Sequence, residues 1–364
     1  MIIFWIITVS LAFILLVSIY NLITAPVAGT SSFNNETNPL VSVLIPARNE
    51  ENNISKCLNY LLAQDYSPLE ILVLNDHSTD KTGKIVEDYE VRNKQIKLIN
   101  GKDLPEGWLG KNWACHQLSN EAQGNYLLFL DADVRIEKET ISSTLAEMNN
   151  AEAKLISVFS TQIIKSFGEW MIVPLMNWLL LAFLPLRLVY SSRKKSFVAA
   201  NGQFMFWERE TYFNISGHKA VQDKVVEDME FARICKSRKI KIKTMLGGNL
   251  IFCQMYNGLS DAKKGFSKNF YPGFSINSFV FLMMITLFIV IFLLPFALVF
   301  SSTLYIIPLL LIVLIRVFIS IISKQNIAFN IILHPLQMLF MFFIGINSVI
   351  SSKTGKIEWK GRRF

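Results

Sequence analysis

The sequence predicts an α/β domain, Rossmann-like and with a mostly parallel sheet, set between transmembrane helices at the N- and C-terminal ends. Three observations carry this reading. Between Leu40 and about Tyr256, short β-rich runs alternate with stretches whose apolar residues recur at helical spacing, the pattern of βαβ units covered on both faces. Towards both ends lie almost wholly apolar runs of lengths that cross ~30 Å of hydrocarbon. Finally, 52% of the 364 residues are hydrophobic and 28 are Phe, a surplus that belongs to a membrane protein with a globular middle.

Charge narrows the partners. The net charge is +8 at pH 7. A nucleic-acid binder would interleave basic stripes with exposed aromatics. Here Arg193-Lys194-Lys195 and the tail from Lys353 to Arg363 sit beside apolar segments, which suits anionic lipid head groups. The expected partner is therefore a membrane and not a nucleic acid. Cys57, Cys115, Cys235 and Cys253 form no C-x-x-C pair, so they are expected to be reduced packing residues.

Taken in order, Ile2 to Ile23 is an apolar run without a basic region before it, expected to be an uncleaved anchor over 1–24. A Ser/Asn/Thr/Pro-rich linker follows over 25–39. The catalytic domain is expected over 40–275. Its first strand, Val41 to Ile45, should stop at Pro46, which needs no ladder donor. Helices are expected over Glu51–Ala63, Lys81–Tyr89, Asn112–Ala122 and Lys138–Met148, with strands at Leu69–Leu74, Ile96–Ile99 and Tyr126–Leu130. Trp170 to Tyr190 is apolar but broken by Pro174, Asn177, Pro185 and Arg187. We expect an interfacial helix near 170–195. Transmembrane segments should occupy 276–350, as Phe279–Phe300, Leu304–Ile322 and Ile327–Ile350, before a basic tail over 351–364. Arg316 and His334-Pro335 fall inside the last two, which should pack together to shelter them. Three full spans after a cytoplasmic domain would put the basic tail outside, against the positive-inside tendency. Either one segment does not cross or the tail breaks the rule.

Four loops should meet at the C-terminal edge of the sheet, where open α/β sheets bind ligands. The first is Pro46-Ala47-Arg48-Asn49-Glu50-Glu51, with Arg48 and Glu50 at its mouth or, on a plainer reading, its acids capping a helix. In the second, Asp76 can accept from a base N–H or a ribose hydroxyl, Asp80 is an N-cap, and His77 is a bystander. The third, Pro105 to Asn112, is glycine-rich and carries Lys111 towards a helix start, a place for a pyrophosphate, although it is not a P-loop. The fourth is Asp131-Ala132-Asp133. On an extended chain these two acids point the same way, and a hard divalent cation would relieve their repulsion.

These residues together resemble family 2 glycosyltransferases with the GT-A fold. Val41 to Glu51 resembles that family's opening strand and base-binding loop, Asn75 to Asp80 its second nucleotide loop, and Asp131-Ala132-Asp133 its D-x-D. The resemblance implies that Pro46, Arg48, Glu50, Asp76, Lys111 and Asp131 face the nucleotide-sugar, Asp76 on uracil and Asp131 on the ribose side. It implies that Asp133 binds Mg2+ or Mn2+ on the diphosphate. Phe197 to Phe204, with Asn201 and Gly202, resembles the strand lining the sugar and acceptor. Lys224 to Glu230 resembles the E-D motif, which makes Asp228 the base of an inverting transfer and Glu227 its neighbour. Gly107 to Cys115 and Glu358 to Arg362 are similar to a membrane-bound subgroup that includes the carotenoid-acid (diaponeurosporenoate) and hopanoid-associated glycosyltransferases. No Q-x-x-R-W follows the E-D motif, so single-sugar transfer is implied rather than chain synthesis. The implied donor is a UDP-sugar and the implied acceptor a membrane lipid, with the catalytic domain cytoplasmic in a multi-pass protein. Transfer to a polyprenyl phosphate, or a non-catalytic nucleotide-sugar-binding scaffold, are the alternatives.

Overall fold

A computed structural model describes residues 1–31, 33 and 38–354, with the backbone of 358–359 and 362–363. The middle of the expected linker and most of the basic tail, including Lys360 and Gly361, lie outside the described residues. The chain forms two compact units. One gathers Met1–Ala25, Gln162–Leu188 and Met255–Ile357; the other gathers Pro26–Thr161, Val189–Gln254 and Glu358–Phe364.

In the second unit the strands and helices alternate as β1 (Val41–Ala47), α2 (Ile54–Leu62), β2 (Leu69–Asn75), α3 (Thr82–Arg92), β3 (Ile96–Asn100), α4 (Gly110–Glu121), β4 (Tyr126–Leu130), β5 (Val134–Ile136), α5 (Thr140–Ala151) and β6 (Leu155–Phe159). After β7 (Thr161–Gln162) the chain passes through α6 (Phe167–Trp170) and α7 (Pro174–Phe183), which belong to the first unit, and α8 (Arg187–Ser191), before β8 (Phe204–Glu208), α9 (Arg209–Asn214), α10 (Glu227–Ser237), β9 (Ile242–Leu246) and β10 (Ile251–Cys253). Among the described residues the main sheet has the order β3-β2-β1-β4-β8-β6-β9. It is mostly parallel, as predicted. The exception is β8, which runs antiparallel to both β4 and β6. Strands buried on both faces read as apolar runs, and every residue of β1 is buried.

β1 corrects one expectation: it continues through Pro46 to Ala47, in register with Leu74 and Asn75. Pairing with β4 on the other side ends at Leu44. Past that residue β1 is an edge on that side, where a residue without an N–H is tolerated. The residues that follow the first helix also join the sheet. Val27 bridges Leu246, and Ala28 N–H donates to the Leu246 carbonyl at 2.8 Å. The four cysteines are free and buried, as expected.

The first unit is helical and apolar. Among the described residues four helices are long and apolar enough to cross a membrane: Ile2–Thr24, Ser278–Leu298, Thr303–Ser323 and His334–Lys353. They comprise α1 (Ile2–Thr24), α12 (Ser278–Leu298), α13 (Ile306–Ser323) with the 3-10 turn before it, and α15 (His334–Lys353), with α11 (Leu259–Phe274) and α14 (Ile327–Ile332) between. The last apolar segment is therefore not one helix from Ile327. Pro335 cannot donate to Ile331 and its ring would strike that carbonyl, so the chain breaks at Leu333 and restarts at His334. The expected packing of the last two segments is present, since Arg316 Nε donates to His334 Nδ1 at 2.6 Å and Asn330 Nδ2 donates to Ser320 Oγ at 2.9 Å. Asn21 fastens α1 to the end of α7 by donating to the Leu181 and Leu184 carbonyls, both at 2.8 Å.

Candidate active site

The sheet order places a site by itself. β1 has β2 on one side and β4 on the other, so successive connections leave it in opposite directions and their loops part at its C-terminal end. Arg48, Asp76 and Asp131 each follow one of these strand ends. The reversed β8 adds its N-terminal approach, Asn201-Gly202-Gln203, to the same edge: Leu130 pairs with Phe204, and Asp131 N–H donates to the Gln203 carbonyl at 3.1 Å.

The first two loops are interlocked. Arg48 Nη1 donates to the Asp76 carbonyl at 2.7 Å and stands 3.9 Å from its carboxylate. Asn49 N–H donates to Ser78 Oγ at 3.1 Å, and Thr79 N–H returns a bond to Asn49 Oδ1 at 2.8 Å. Glu50 N–H donates to Thr82 Oγ1 at 2.8 Å, and Glu51 N–H to Asp80 Oδ2 at 3.1 Å. Asp76, 2% exposed, is thus fixed from both sides. Asp80 accepts from Thr82 N–H at 2.9 Å, but the N-cap of α3 is Lys81 and not Asp80 as expected. Glu50 serves the start of α2 as well, since its carboxylate accepts from Asn53 Nδ2 at 2.9 Å. His77 is exposed, 3.8 Å from the exposed Asp103.

The second correction concerns the aspartate pair. β4 ends at Leu130, and Asp131-Ala132-Asp133 forms a turn in which Val134 N–H donates to the Asp131 carbonyl at 3.1 Å. The turn, not the alternation of an extended strand, aims the two acids. Lys111 is likewise placed differently from expectation, because α4 begins at Gly110 and holds it in the first turn. A cation there opposes the helix dipole. It is compensated by Asp131, at 2.8 Å, and Glu227, at 3.5 Å. Burial would lower the Lys111 pKa, but these two carboxylates outweigh it and hold the ammonium well above its ordinary value.

Asp228 lies in the first turn of α10 beside Glu227. Its Oδ1 accepts from Met229 N–H at 2.7 Å and its Oδ2 from Gly202 N–H at 2.8 Å. Burial first, and the Glu227 charge second, push its carboxyl up to about 7 against the opposing pull of those N–H groups and Lys111. A Cβ built on Gly202 would lie 3.1 Å from Glu227 Oε1, 3.4 Å from Lys111 Nζ and 3.6 Å from Asp228 Oδ2. Glycine leaves that space open. Lys111, Asp131, Glu227, Asp228 and Gly202 therefore form one cluster. Asn201 faces its own loop instead, its Oδ1 accepting from Gln203 N–H at 2.8 Å.

Two further residues shape the site. Asn112 Nδ2 donates to the Val221, Gln222 and Lys224 carbonyls at 2.8, 3.2 and 3.0 Å, tying the loop before Glu227 to α4. Its position beside Lys111 was the available signal. Gln203 Nε2 donates to Cys253 Sγ at 3.2 Å. Burial, then the charges of Asp133 and Asp131, push the Cys253 thiol well up, so it faces these acids as a neutral thiol.

Among the described residues no group of three or more His, Cys, Asp or Glu side chains could by itself hold a metal ion, and Asp131 is already engaged by Lys111. The donor set nevertheless fits one hard cation: Asp133 would be its protein ligand, and phosphate oxygens and water would complete the shell, as Mg2+ commonly requires.

The family model for glycosyl transferase family 2 matches residues 42–228. The 4,4'-diaponeurosporenoate glycosyltransferase of Staphylococcus aureus is 26% identical over 250 residues, 68% of this chain and 64% of that protein. The chain thus spans a little under two thirds of the curated relative's length. A mannosyltransferase from Pyrobaculum calidifontis, solved in complex with GDP-Man and Mn2+, is similar with a TM-score of 0.56 at 14% identity, over 96% of this chain and 99% of that one. The shared architecture is the GT-A fold.

Proposed function

This chain belongs to glycosyl transferase family 2, and from that premise we propose that it moves one hexose from a UDP-sugar such as UDP-glucose to a membrane lipid, with inversion at the anomeric carbon. The observation that carries the reading is Lys111. It touches Asp131 on the donor side and Glu227 on the base side, so one ammonium joins the two halves of a transfer site.

Asp228 takes the proton from an acceptor hydroxyl. The hydroxyl oxygen attacks the anomeric carbon, the bond from that carbon to the diphosphate breaks, and UDP departs with the electron pair. An acceptor carboxylate would attack without losing a proton, and Asp228 would then only orient it. Lys111 faces the charge that develops on the diphosphate, in a partly buried place where a fixed cation acts strongly. Asp133 would hold Mg2+ or Mn2+, which when bound would add to the neutralisation of that leaving group. Gly202 keeps the reacting space clear, and its N–H holds the Asp228 carboxylate in place.

The acceptor is an amphiphile: a carotenoid acid, a hopanoid-like lipid or another membrane lipid. Four helices of spanning length and the S. aureus relative's name support this. In this reading 1–24 anchors the chain, 40–275 carries catalysis on the cytoplasmic side with the stretch near 170–195 at the bilayer surface, and 276–350 crosses the membrane.

Asp228→Asn tests the chemistry: it should keep UDP binding and abolish transfer to a hydroxyl, and retained transfer removes Asp228 as base. Wild-type protein supplied with Mg2+ or Mn2+ that neither binds nor consumes UDP-glucose, UDP-GlcNAc or GDP-mannose would overturn the proposal. Mass spectrometry of lipids from cells with and without the protein identifies the acceptor; a sugar found on polyprenyl phosphate would put that phosphate in place of the amphiphiles named above.

A further inference from the structure

Inside the apolar helical unit one buried cation has no counter-charge among the described residues. Arg316, on α13, is 2% exposed. Its Nε donates to His334 Nδ1, and its guanidinium carbon lies 5.3 Å from the ring centre of Trp178 on α7. The buried Nη2 has no hydrogen-bond partner, and neither does the indole N–H of Trp178. A histidine that accepts at Nδ1 carries its proton on Nε2 and is neutral, so it contributes a lone pair and no negative charge. The unit's two carboxylates, Glu169 and Asp261, are engaged elsewhere. Glu169 accepts from Lys165 N–H, Ser166 Oγ and Gly258 N–H, and Asp261 from Asn257 N–H.

An arginine stays protonated in a protein, and a buried cation without a counter-charge is strongly disfavoured. The face of Trp178 offsets part of that but offers no oxyanion. In a segment of membrane-spanning length such a group marks a ligand or a pathway. The unspent edge of a guanidinium is the fork that carboxylates and phosphates take in pairs.

We propose that Arg316 is the head-group site of an anionic single-headed amphiphile, whose carboxylate or phosphate oxygens take the Nη edge while its hydrocarbon remains in the bilayer. The site is independent of the transfer reaction and is read by binding alone.

The test uses the full chain in phosphatidylcholine nanodiscs with radiolabelled palmitate as probe, and methyl palmitate, dodecyl phosphate and inorganic phosphate as competitors. The expected result is saturable binding of one palmitate per chain, displaced by dodecyl phosphate and not by methyl palmitate. Arg316→Gln and Arg316→Met should weaken binding by roughly tenfold or more, and palmitate should raise the thermal midpoint of the wild type but not of Arg316→Met. Equal affinity in wild type and both variants, or no saturable binding, overturns the proposal and leaves Arg316 as a brace between helices. Inorganic phosphate competing as well as dodecyl phosphate overturns the amphiphile in favour of a free anion. Should the variants fail to fold, the wild-type panel decides, because methyl palmitate competing as well as palmitate removes the need for a charge.

Discussion

Replacing Glu227 by Gln removes one charge and almost no volume, so it isolates the electrostatic coupling at the base. Asp228 is held near 7 by burial and by Glu227. Below that pH it is protonated and cannot accept a proton; above it the carboxylate is available. kcat/KM for a hydroxyl acceptor should therefore rise with pH through about 7, since that ratio reports the free enzyme. Glu227 Oε1 and Asp228 Oδ2 lie 3.1 and 3.6 Å from one point, the Cβ position of Gly202, so the two oxygens are within roughly 7 Å of each other. At that distance a unit charge is worth roughly 2.4 kcal/mol at an effective dielectric of ~20. Asp228 is only partly covered, and solvent screening reduces the effect, so the midpoint should fall by about one pH unit. The assay is UDP release at subsaturating UDP-glucose across pH 5 to 9, with circular dichroism as a folding control. A rising limb that stays in place, or moves to higher pH, refutes the assignment of Glu227 as the group that raises Asp228.

Three other outcomes follow from the same geometry. Gly202→Ala places a methyl 3.1 Å from Glu227 Oε1, tighter than an ordinary contact, and should lower kcat by roughly tenfold through misplacement while the thermal midpoint barely moves. Asn112→Ala removes the side-chain donor shared by the Val221, Gln222 and Lys224 carbonyls, of which Val221 and Gln222 keep the main-chain N–H groups of Lys224 and Leu109. It should cost about 2 kcal/mol, read as a lower thermal midpoint at fixed scan rate, with kcat falling as the Glu227 loop loosens. Asp133→Asn should weaken Mn2+-dependent donor binding about tenfold or more in calorimetry, while binding of UDP without metal changes little.

The α/β alternation was legible because buried strands read as apolar runs and surface helices as periodic ones. Tyr126–Leu130 was located to the residue for that reason. The direction of β8 was not legible, since an apolar pentapeptide looks the same running either way, and yet that direction brings Gly202 to the sheet edge that carries Asp131. Asp131 and Asp133 were found by type and spacing, while the turn that aims them depends on the Asp131–Val134 hydrogen bond. The role of Asn112 was hidden because its partners are main-chain carbonyls more than a hundred positions away, and carbonyls carry no sequence signature. The hydrogen bond from the Arg48 guanidinium to the Asp76 carbonyl likewise has a main-chain acceptor and carries no sequence signature.

The mutual hydrogen bonds between the Arg48–Glu51 and Asn75–Thr82 loops have a consequence for the thermodynamics of association. Each loop supplies donors and acceptors that satisfy the other before any nucleotide arrives. On the proposed reading, in which Asp76 meets the base, little chain entropy then remains to be lost when a nucleotide docks. The heat-capacity change of that step should reflect the surface covered rather than coupled folding. Changes within the clasp should also couple: substituting Asn49 and Ser78 together should disturb nucleotide affinity by a different amount than the two single effects added. A substitution in either loop is therefore felt in the other.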